Sequence, residues 1–179
     1  CRSRLEAGES PSLRADQLVC ELEAAHGGDA GIILAFLMNP VSLRAGEAAY
    51  IPPRQIHAYQ RGLGVEVMAA SDNVIRAGLT HKHVDSAQLV EIAEFSALPP
   101  IRLAPEHPSP HSDRFLAPAQ EFELTVTTCT PDLTALRVPG EGPRIALVTR
   151  GRLSLSTEAG ECTLGQGEAV FISAAEHHL

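Results

Sequence analysis

Two stretches of the sequence, 121 positions apart, follow the same pattern, and this repeat limits the folds that the chain can adopt. Residues 41–58 read VSLRAGEAAYIPPRQIHA, and residues 162–179 read CTLGQGEAVFISAAEHHL. The tripeptide GEA stands at 46–48 in the first copy and at 167–169 in the second. The spacing is too long for stacked solenoid repeats, so it indicates two similar domains.

Each copy of the repeat predicts a tight turn followed by a short strand. Gly46 and Gly167 suit a turn, because glycine adopts positive φ at little cost. The residues after them, AAYI and AVFI, are apolar enough for a short buried strand. Short strands separated by Gly and Pro are typical of antiparallel β-barrels.

The second half of the sequence has the clearest strand pattern. Residues 122–128, FELTVTT, alternate apolar and polar side chains, and residues 144–164 predict two hairpins with turns at 150–151 and 158–160. The side chains expected to face inward are Ile145, Leu147, Leu153 and Leu155. The proline-rich stretch 98–118 predicts a linker without regular structure.

Two helices are expected in the first half. Residues 14–26 place apolar side chains on one face and are followed by Gly27-Gly28. Residues 86–95 follow Asp85 as N-cap, with Gln88 completing a capping box.

Composition excludes several classes of partner. The formal charge of −8 argues against nucleic acid or an anionic membrane surface, because both require a basic face. The longest apolar run, GIILAFLM at 31–38, is much shorter than the ~20 residues of a membrane span. The four cysteines form no CxxC pair, which favours reduced thiols in a cytoplasmic protein.

The segment QRGLGVEVMAASDNVIRAGLTHKHVD at 60–85 carries the polar residues best suited to chemistry. A strand over 65–69 would place Glu66 on the face opposite its valines. Asp72, Arg76 and Lys82 then follow along a glycine-containing stretch. One carboxylate and two cations suit an anionic, hydroxyl-bearing ligand.

From LMNPVSLRAGEAAYIPP (37–53) through IHAY (56–59) to EVMAASDNVIRAGLTHKHVD (66–85), the sequence closely resembles type I phosphomannose isomerase. The family shows a PHAY-like tetrapeptide followed by EXMAXSDNVXRAGLTPK. The chain departs from this pattern at His81, where the family usually has proline. The similarity extends more weakly over nearly the whole chain and matches the C-terminal half of a full-length member.

The resemblance implies a zinc-dependent aldose–ketose isomerase that interconverts mannose 6-phosphate and fructose 6-phosphate, with one Zn²⁺ in the catalytic domain. His57 would be a zinc ligand, and the other ligands would come from motifs upstream of this chain. Arg76 would be catalytic, Asp72, Glu66 and Tyr59 would line the site, and Lys82 would hold the phosphate.

The resemblance also implies a mainly β fold of cupin-type jelly-roll domains with short helices. Residues 1–97 would be the C-terminal part of the zinc-binding cupin, 98–118 a linker, and 119–179 a second cupin-like domain, truncated at its end. The second domain would be nearly complete and the first partial. The full-length protein would be a monomer with a small phosphorylated sugar as its ligand.

Two alternatives use the same residues. A cupin that binds a sugar or sugar phosphate without catalysis would have lost its metal site. A metal-dependent cupin oxygenase or decarboxylase is disfavoured, because the usual cluster of two histidines one residue apart, followed by Glu, is absent. Since the chain supplies one credible metal ligand and zinc sites usually need three, we expect it to bind zinc weakly and not to isomerise sugar alone.

Overall fold

A computed structural model describes residues 1–71, 73–133, 135–157 and 160–176. In this part of the chain it contains nine strands and four helices, so the expected mainly β fold with short helices is confirmed. The helices are α1 (Arg2–Ala7), α2 (Leu13–His26), α3 (Gly31–Leu37) and α4 (Ser86–Ile92). The strands are β1 (Ala48–Tyr50), β2 (Ile101–Leu103), β3 (Glu106–Ser109), β4 (Ser112–Phe115), β5 (Leu124–Thr127), β6 (Arg144–Leu147), β7 (Arg152–Thr157), β8 (Gly160–Gly165) and β9 (Ala169–Ile172).

The chain divides into two compact units. The first unit comprises Cys1–Ala104 with Ala117–Glu123, and the second comprises Pro105–Leu116 with Leu124–Leu179. The four cysteines are free thiols. Among the helices of the described residues, none has the length and apolar character needed to cross a bilayer.

Helices α2 and α3 form the core of the first unit. Leu22 of α2 packs against Ile32 and Ala35 of α3, and all three are buried. The helix predicted over 14–26 is confirmed, with the Ser12 hydroxyl accepting from the backbone N–H of Ala15 at the N-cap. Apolar burial between the two helices stabilises this unit.

The other regular elements described in the first unit are α1, α4 and a two-stranded sheet. Strands β1 and β2 pair antiparallel. The Asp85 carboxylate accepts a 3.0 Å hydrogen bond from the backbone N–H of Gln88, so the predicted N-cap of α4 is confirmed. Helix α4 ends at Ile92, earlier than the predicted residue 95.

The second unit contains three antiparallel sheets. Their strand orders are β3–β4–β5, β6–β9 and β7–β8. Val148, Leu155 and Leu164 are buried together and form the core of this unit. The expected strand over 122–128 is confirmed as β5, and the repeat strands are confirmed as β1 and β9.

One of the two predicted hairpins is wrong. Strand β6 pairs with β9 and not with β7, and Ile145 and Leu147 are 76% and 46% exposed. Val148, just after the strand, is buried instead. Alternation separates the two faces of a strand but does not say which face packs inward, and here β6 turns its larger residues outward. The β7–β8 hairpin is confirmed, although residues 158 and 159 of its turn lie outside the described residues.

The expectation that 98–118 lacks regular structure is also wrong, because β2, β3 and β4 form there. Pro108 lies in β3, whose pairing with β4 is irregular between Glu106 and Ser109. Strand β3 is at the edge of its sheet. Proline is tolerated at edges and irregularities, where a missing N–H breaks no ladder.

The GEA repeat forms the same turn twice. Gly46 and Gly167 have φ values of 84° and 85°. The Glu47 carboxylate accepts from the Arg44 N–H at 2.8 Å, and the Glu47 N–H donates to the Arg44 carbonyl at 3.0 Å. Glu168 makes the same two bonds with Gly165. The repeat therefore encodes a reciprocally hydrogen-bonded turn at the start of each strand.

Candidate functional site

His57 lies in an exposed loop after β1. Its Nδ1 is 3.0 Å from the carbonyl oxygen of Gln55. The tautomer that satisfies this carbonyl carries its proton on Nδ1, which leaves the lone pair of Nε2 free. A histidine whose second nitrogen is held by a backbone carbonyl is the usual arrangement of a metal ligand.

Tyr59 connects His57 to Glu66. The rings of His57 and Tyr59 meet edge to face with centroids 5.8 Å apart, and the Tyr59 hydroxyl donates a 2.7 Å hydrogen bond to the Glu66 carboxylate. Partial desolvation, followed by this hydrogen bond and the carboxylate charge, raises the pKa of Tyr59 to about 12. Tyr59 therefore keeps its proton at neutral pH.

The backbone before His57 is held by Arg54, a residue that the sequence analysis did not single out. Arg54 has a φ of 70°, which is unusual for a side chain other than glycine. Its Nε donates to the Ile92 carbonyl at the end of α4 at 2.6 Å, and its own carbonyl accepts from the Glu94 N–H at 2.9 Å. These contacts fix the loop three residues before the imidazole.

The 60–85 segment is less regular than predicted. The strand expected over 65–69 does not form in the structure, and Val65 and Val67 are 51% and 37% exposed. Alternating residues form a strand when a neighbour satisfies their backbone groups, and no described strand pairs with this stretch. Glu66 is therefore positioned by its bond with Tyr59 and not by a strand.

Arg76 and Lys82 are the two cations that the sequence analysis placed in the site. Arg76 is half-buried and Lys82 is exposed, and neither side chain makes a hydrogen bond or ion pair with the described residues. Asp72 lies outside the described residues. The structure thus links His57, Tyr59 and Glu66 by direct contacts, and among the described residues these three make no hydrogen bond or ion pair with Arg76 or Lys82.

Asp29, which the sequence analysis also missed, connects the start of α3 to the backbone between Arg76 and Lys82. Its carboxylate accepts from the backbone N–H groups of Gly31 at 2.7 Å and Leu79 at 2.8 Å. An aspartate just before the apolar run GIILAFLM is a helix-start signal that could have drawn attention to it. Its link to Leu79, 50 positions away, has no counterpart in the sequence pattern.

The described residues do not complete a zinc site. No group of three or more His, Cys, Asp or Glu side chains in that part of the chain is placed to hold a metal ion. Zinc in proteins usually takes three or four protein ligands. The geometry of His57 suits one such ligand, and the described residues supply no group of three around it.

No protein-family model matches the chain. It is 35% identical over 179 residues to mannose-6-phosphate isomerase 1 of Arabidopsis thaliana, covering 99% of this chain and 41% of the relative. It is 30% identical over 176 residues to the Escherichia coli mannose-6-phosphate isomerase, covering 98% of this chain and 44% of the relative. The chain therefore spans about two fifths of the length of these relatives.

The structure is also similar to phosphomannose isomerase from Salmonella typhimurium. A crystal structure of that protein with fructose 6-phosphate and zinc bound gives a TM-score of 0.71 at 30% identity, covering 90% of this chain and 41% of that one. The same protein has been solved with a histidine replaced by alanine and with an arginine replaced by alanine, and these two residues are 19 positions apart.

Proposed function

We propose that this chain, a member of the mannose-6-phosphate isomerase family, is the C-terminal part of a zinc-dependent isomerase of mannose 6-phosphate and fructose 6-phosphate. The observation that carries the proposal is the similarity to these isomerases over 99% of the chain. In this proposal residues 1–97 belong to the catalytic domain and residues 119–179 form a second cupin-like domain. Residues 98–118 are the linker between the two domains.

The spacing of two residues supports their assignment to the site. His57 and Arg76 are 19 positions apart, as are one of the histidines and the arginine replaced in the Salmonella protein. Both residues lie in the string that carries the family resemblance. We assign His57 as a zinc ligand through its free Nε2, and Arg76 as a catalytic residue beside the sugar.

The reaction moves a proton between adjacent carbons and develops negative charge on the two enediol oxygens. Bound zinc would supply Lewis-acid stabilisation of that charge. Arg76 is suited to the same task because its guanidinium is permanently charged, half-buried and not engaged by the described residues. Lys82 provides an exposed point charge for the phosphate.

Tyr59 and Glu66 act as a unit in this proposal. With a pKa of about 12, the Tyr59 hydroxyl stays protonated, and its bond to Glu66 fixes its direction. The ring of Tyr59 also makes an edge-to-face contact with the imidazole of His57. Asp72 completes the proposed site, although it lies outside the described residues.

The second candidate is a sugar-phosphate-binding cupin without catalysis. It is favoured by one observation, namely that the described residues hold no group of three or more side chains placed to bind a metal ion. The isomerase proposal accounts for this with ligands elsewhere in the parent protein. It follows that the chain alone should bind zinc weakly and should not isomerise sugar phosphates.

A coupled assay of the parent protein with mannose 6-phosphate, with and without a chelator, tests the proposal. We expect zinc-dependent isomerisation, and His57→Ala should lose bound zinc and reduce kcat/KM by about a hundredfold or more, since even residues behind metal ligands are worth about 10- to 100-fold. The matched control is His107→Ala, an exposed histidine paired with Asp113 in the second unit. Equal zinc content and activity in both variants would refute the assignment, and sugar-phosphate binding without turnover would favour the second candidate.

A further inference from the structure

We propose that Asp29 is a positioning residue for the sugar-phosphate site, because it fixes the backbone between Arg76 and Lys82. The inference rests on the proposed function, which places those two cations beside the substrate. Asp29 lies outside the string that carries the family resemblance. It would act only through the backbone of the 78–80 turn.

One oxygen of the Asp29 carboxylate binds the start of α3, and the other binds the 78–80 turn. Oδ1 accepts from the Gly31 N–H at 2.7 Å, at the start of α3, and Oδ2 accepts from the Leu79 N–H at 2.8 Å. Both bonds are charge-assisted and therefore stronger than bonds between neutral groups. Asp29 thus joins the turn to a helix that belongs to the core of its unit.

The turn needs such an external restraint because its backbone is strained. Leu79 has a φ of 54°, and among the described residues it shares a positive φ outside glycine only with Arg54. A conformation of this kind persists when surrounding contacts impose it. Leu79 is also held by its side chain, which packs against the α2–α3 core.

The fit around Asp29 is close on both sides. A Cβ on Gly78, whose φ is 145°, would lie 2.8 Å from Asp29 Oδ1 and 3.0 Å from the Cα of Gly31. A Cβ on Gly31 would lie 3.0 Å from the Leu79 side chain. Only residues without a Cβ allow the two segments to approach this closely.

The carboxylate is charged under assay conditions. The N–H of Gly31, followed by that of Leu79 and by nearby His26, holds the pKa of Asp29 below its ordinary value. At neutral pH both bonds are therefore made by an anion. Protonation does not weaken the contact in the range where the enzyme would be assayed.

The effect on catalysis follows from distance along the chain. Arg76 and Lys82 each stand three residues from Leu79, so a shift of this turn moves both cations. A misplacement of about 1 Å at a catalytic group can reduce the rate about 100-fold. Loss of the Asp29 contact should lower kcat, because it displaces Arg76, and raise KM, because it displaces Lys82.

The test uses the complete isomerase with zinc bound. Asp29→Asn keeps the shape but replaces one of the two acceptor oxygens with an NH2 group, so one of the two N–H groups faces a donor. We expect kcat to fall about tenfold or more with zinc content unchanged. The matched control is Asp16→Asn, which removes a buried carboxylate bonded to Arg4 and Ser10 in the same unit. This control should lower the melting temperature and leave kcat and KM at their wild-type values.

A second variant approaches the contact from the opposite side. Gly78→Ala should reproduce the kinetic defect by pushing its Cβ against Asp29. Its control is Gly46→Ala, which also has a positive φ but has open space around the position of the new Cβ. Hydrogen exchange should accelerate at residues 76–82 in Asp29→Asn and Gly78→Ala, and not in the two controls.

The outcomes separate the inference from the proposed function. Folded Asp29→Asn and Gly78→Ala proteins with wild-type kcat and unchanged exchange at 76–82 would overturn the role of Asp29 while leaving the isomerase proposal intact. A wild-type protein that binds zinc and has no isomerase activity would overturn the proposed function. In that case faster exchange in both variants would still support Asp29 as the residue that holds the turn.

Discussion

Arg54 offers a direct test of how the loop before His57 is held. Its side chain donates to the Ile92 carbonyl at 2.6 Å, while its backbone occupies the left-handed region at a φ of 70°. Alanine at this position removes the bond and keeps the strain. Glycine removes the same bond and relieves the strain. The two substitutions therefore separate two opposing contributions at one position.

The magnitudes follow from exposure and backbone geometry. The bond is at the surface, so its loss in Arg54→Ala should lower the free energy of unfolding by about 1 kcal/mol. The left-handed conformation costs about 1–2 kcal/mol for a residue with a Cβ, and part of this relief is offset by the greater freedom of glycine when unfolded. Arg54→Gly should therefore be about 1 kcal/mol more stable than Arg54→Ala and close to wild type.

Urea unfolding of the three proteins measures this difference, and hydrogen exchange locates it. The Glu94 N–H donates to the Arg54 carbonyl, so its exchange should be fastest in Arg54→Ala. A glycine variant less stable than the alanine variant would show that the positive φ is not a source of strain. Equal stability of wild type and Arg54→Ala would show that the bond to Ile92 contributes nothing.

Two further predictions concern the second core and the Tyr59–Glu66 pair. Leu155→Ala should lower the free energy of unfolding by about 2–5 kcal/mol, because Leu155 is buried. Ile145→Ala, at a site 76% exposed, should change it by less than about 0.5 kcal/mol. Equal losses of the two variants in urea unfolding would contradict the outward orientation of Ile145 in β6. Glu66→Gln should lower the Tyr59 pKa from about 12 towards its ordinary value of 10.0, as followed by tyrosinate absorbance in a Tyr50→Phe background that leaves one tyrosine. The Tyr59 pKa is higher in the folded than in the unfolded state, so the Tyr59–Glu66 pair contributes to stability below pH 10 and loses that contribution as the pH rises towards 12. A Tyr59 titration that is the same with and without the Glu66→Gln substitution would refute the coupling.

Local signals predicted the elements of the fold better than their pairing. The capped ends of α2 and α4 and the turns at Gly46 and Gly167 depend on residues close in sequence, and these predictions are confirmed. Strand partners depend on contacts far apart, which is why β6 was assigned to the wrong neighbour. The strand predicted over 65–69 failed for the same reason, since alternation alone supplies no hydrogen-bonding partner.

The candidate site was predicted from side chains, and its supports were missed because they bind backbone atoms. His57, Glu66 and Arg76 came from a residue string that resembles a family. Arg54 bonds a carbonyl 38 positions away, and Asp29 bonds an N–H 50 positions away. Nearly every residue has these backbone groups, so such contacts leave no pattern in the sequence.

The bond from Asp29 to Leu79 encloses a loop of 50 residues that contains both His57 and Arg76. Closing a flexible loop of that length costs about 3–4 kcal/mol of chain entropy. Helices α2 and α3 are close in sequence, so they can pack together before this loop closes. We therefore expect the polar residues of the site to acquire their arrangement late in folding, so that catalytic competence would lag behind the recovery of helical content after dilution from denaturant.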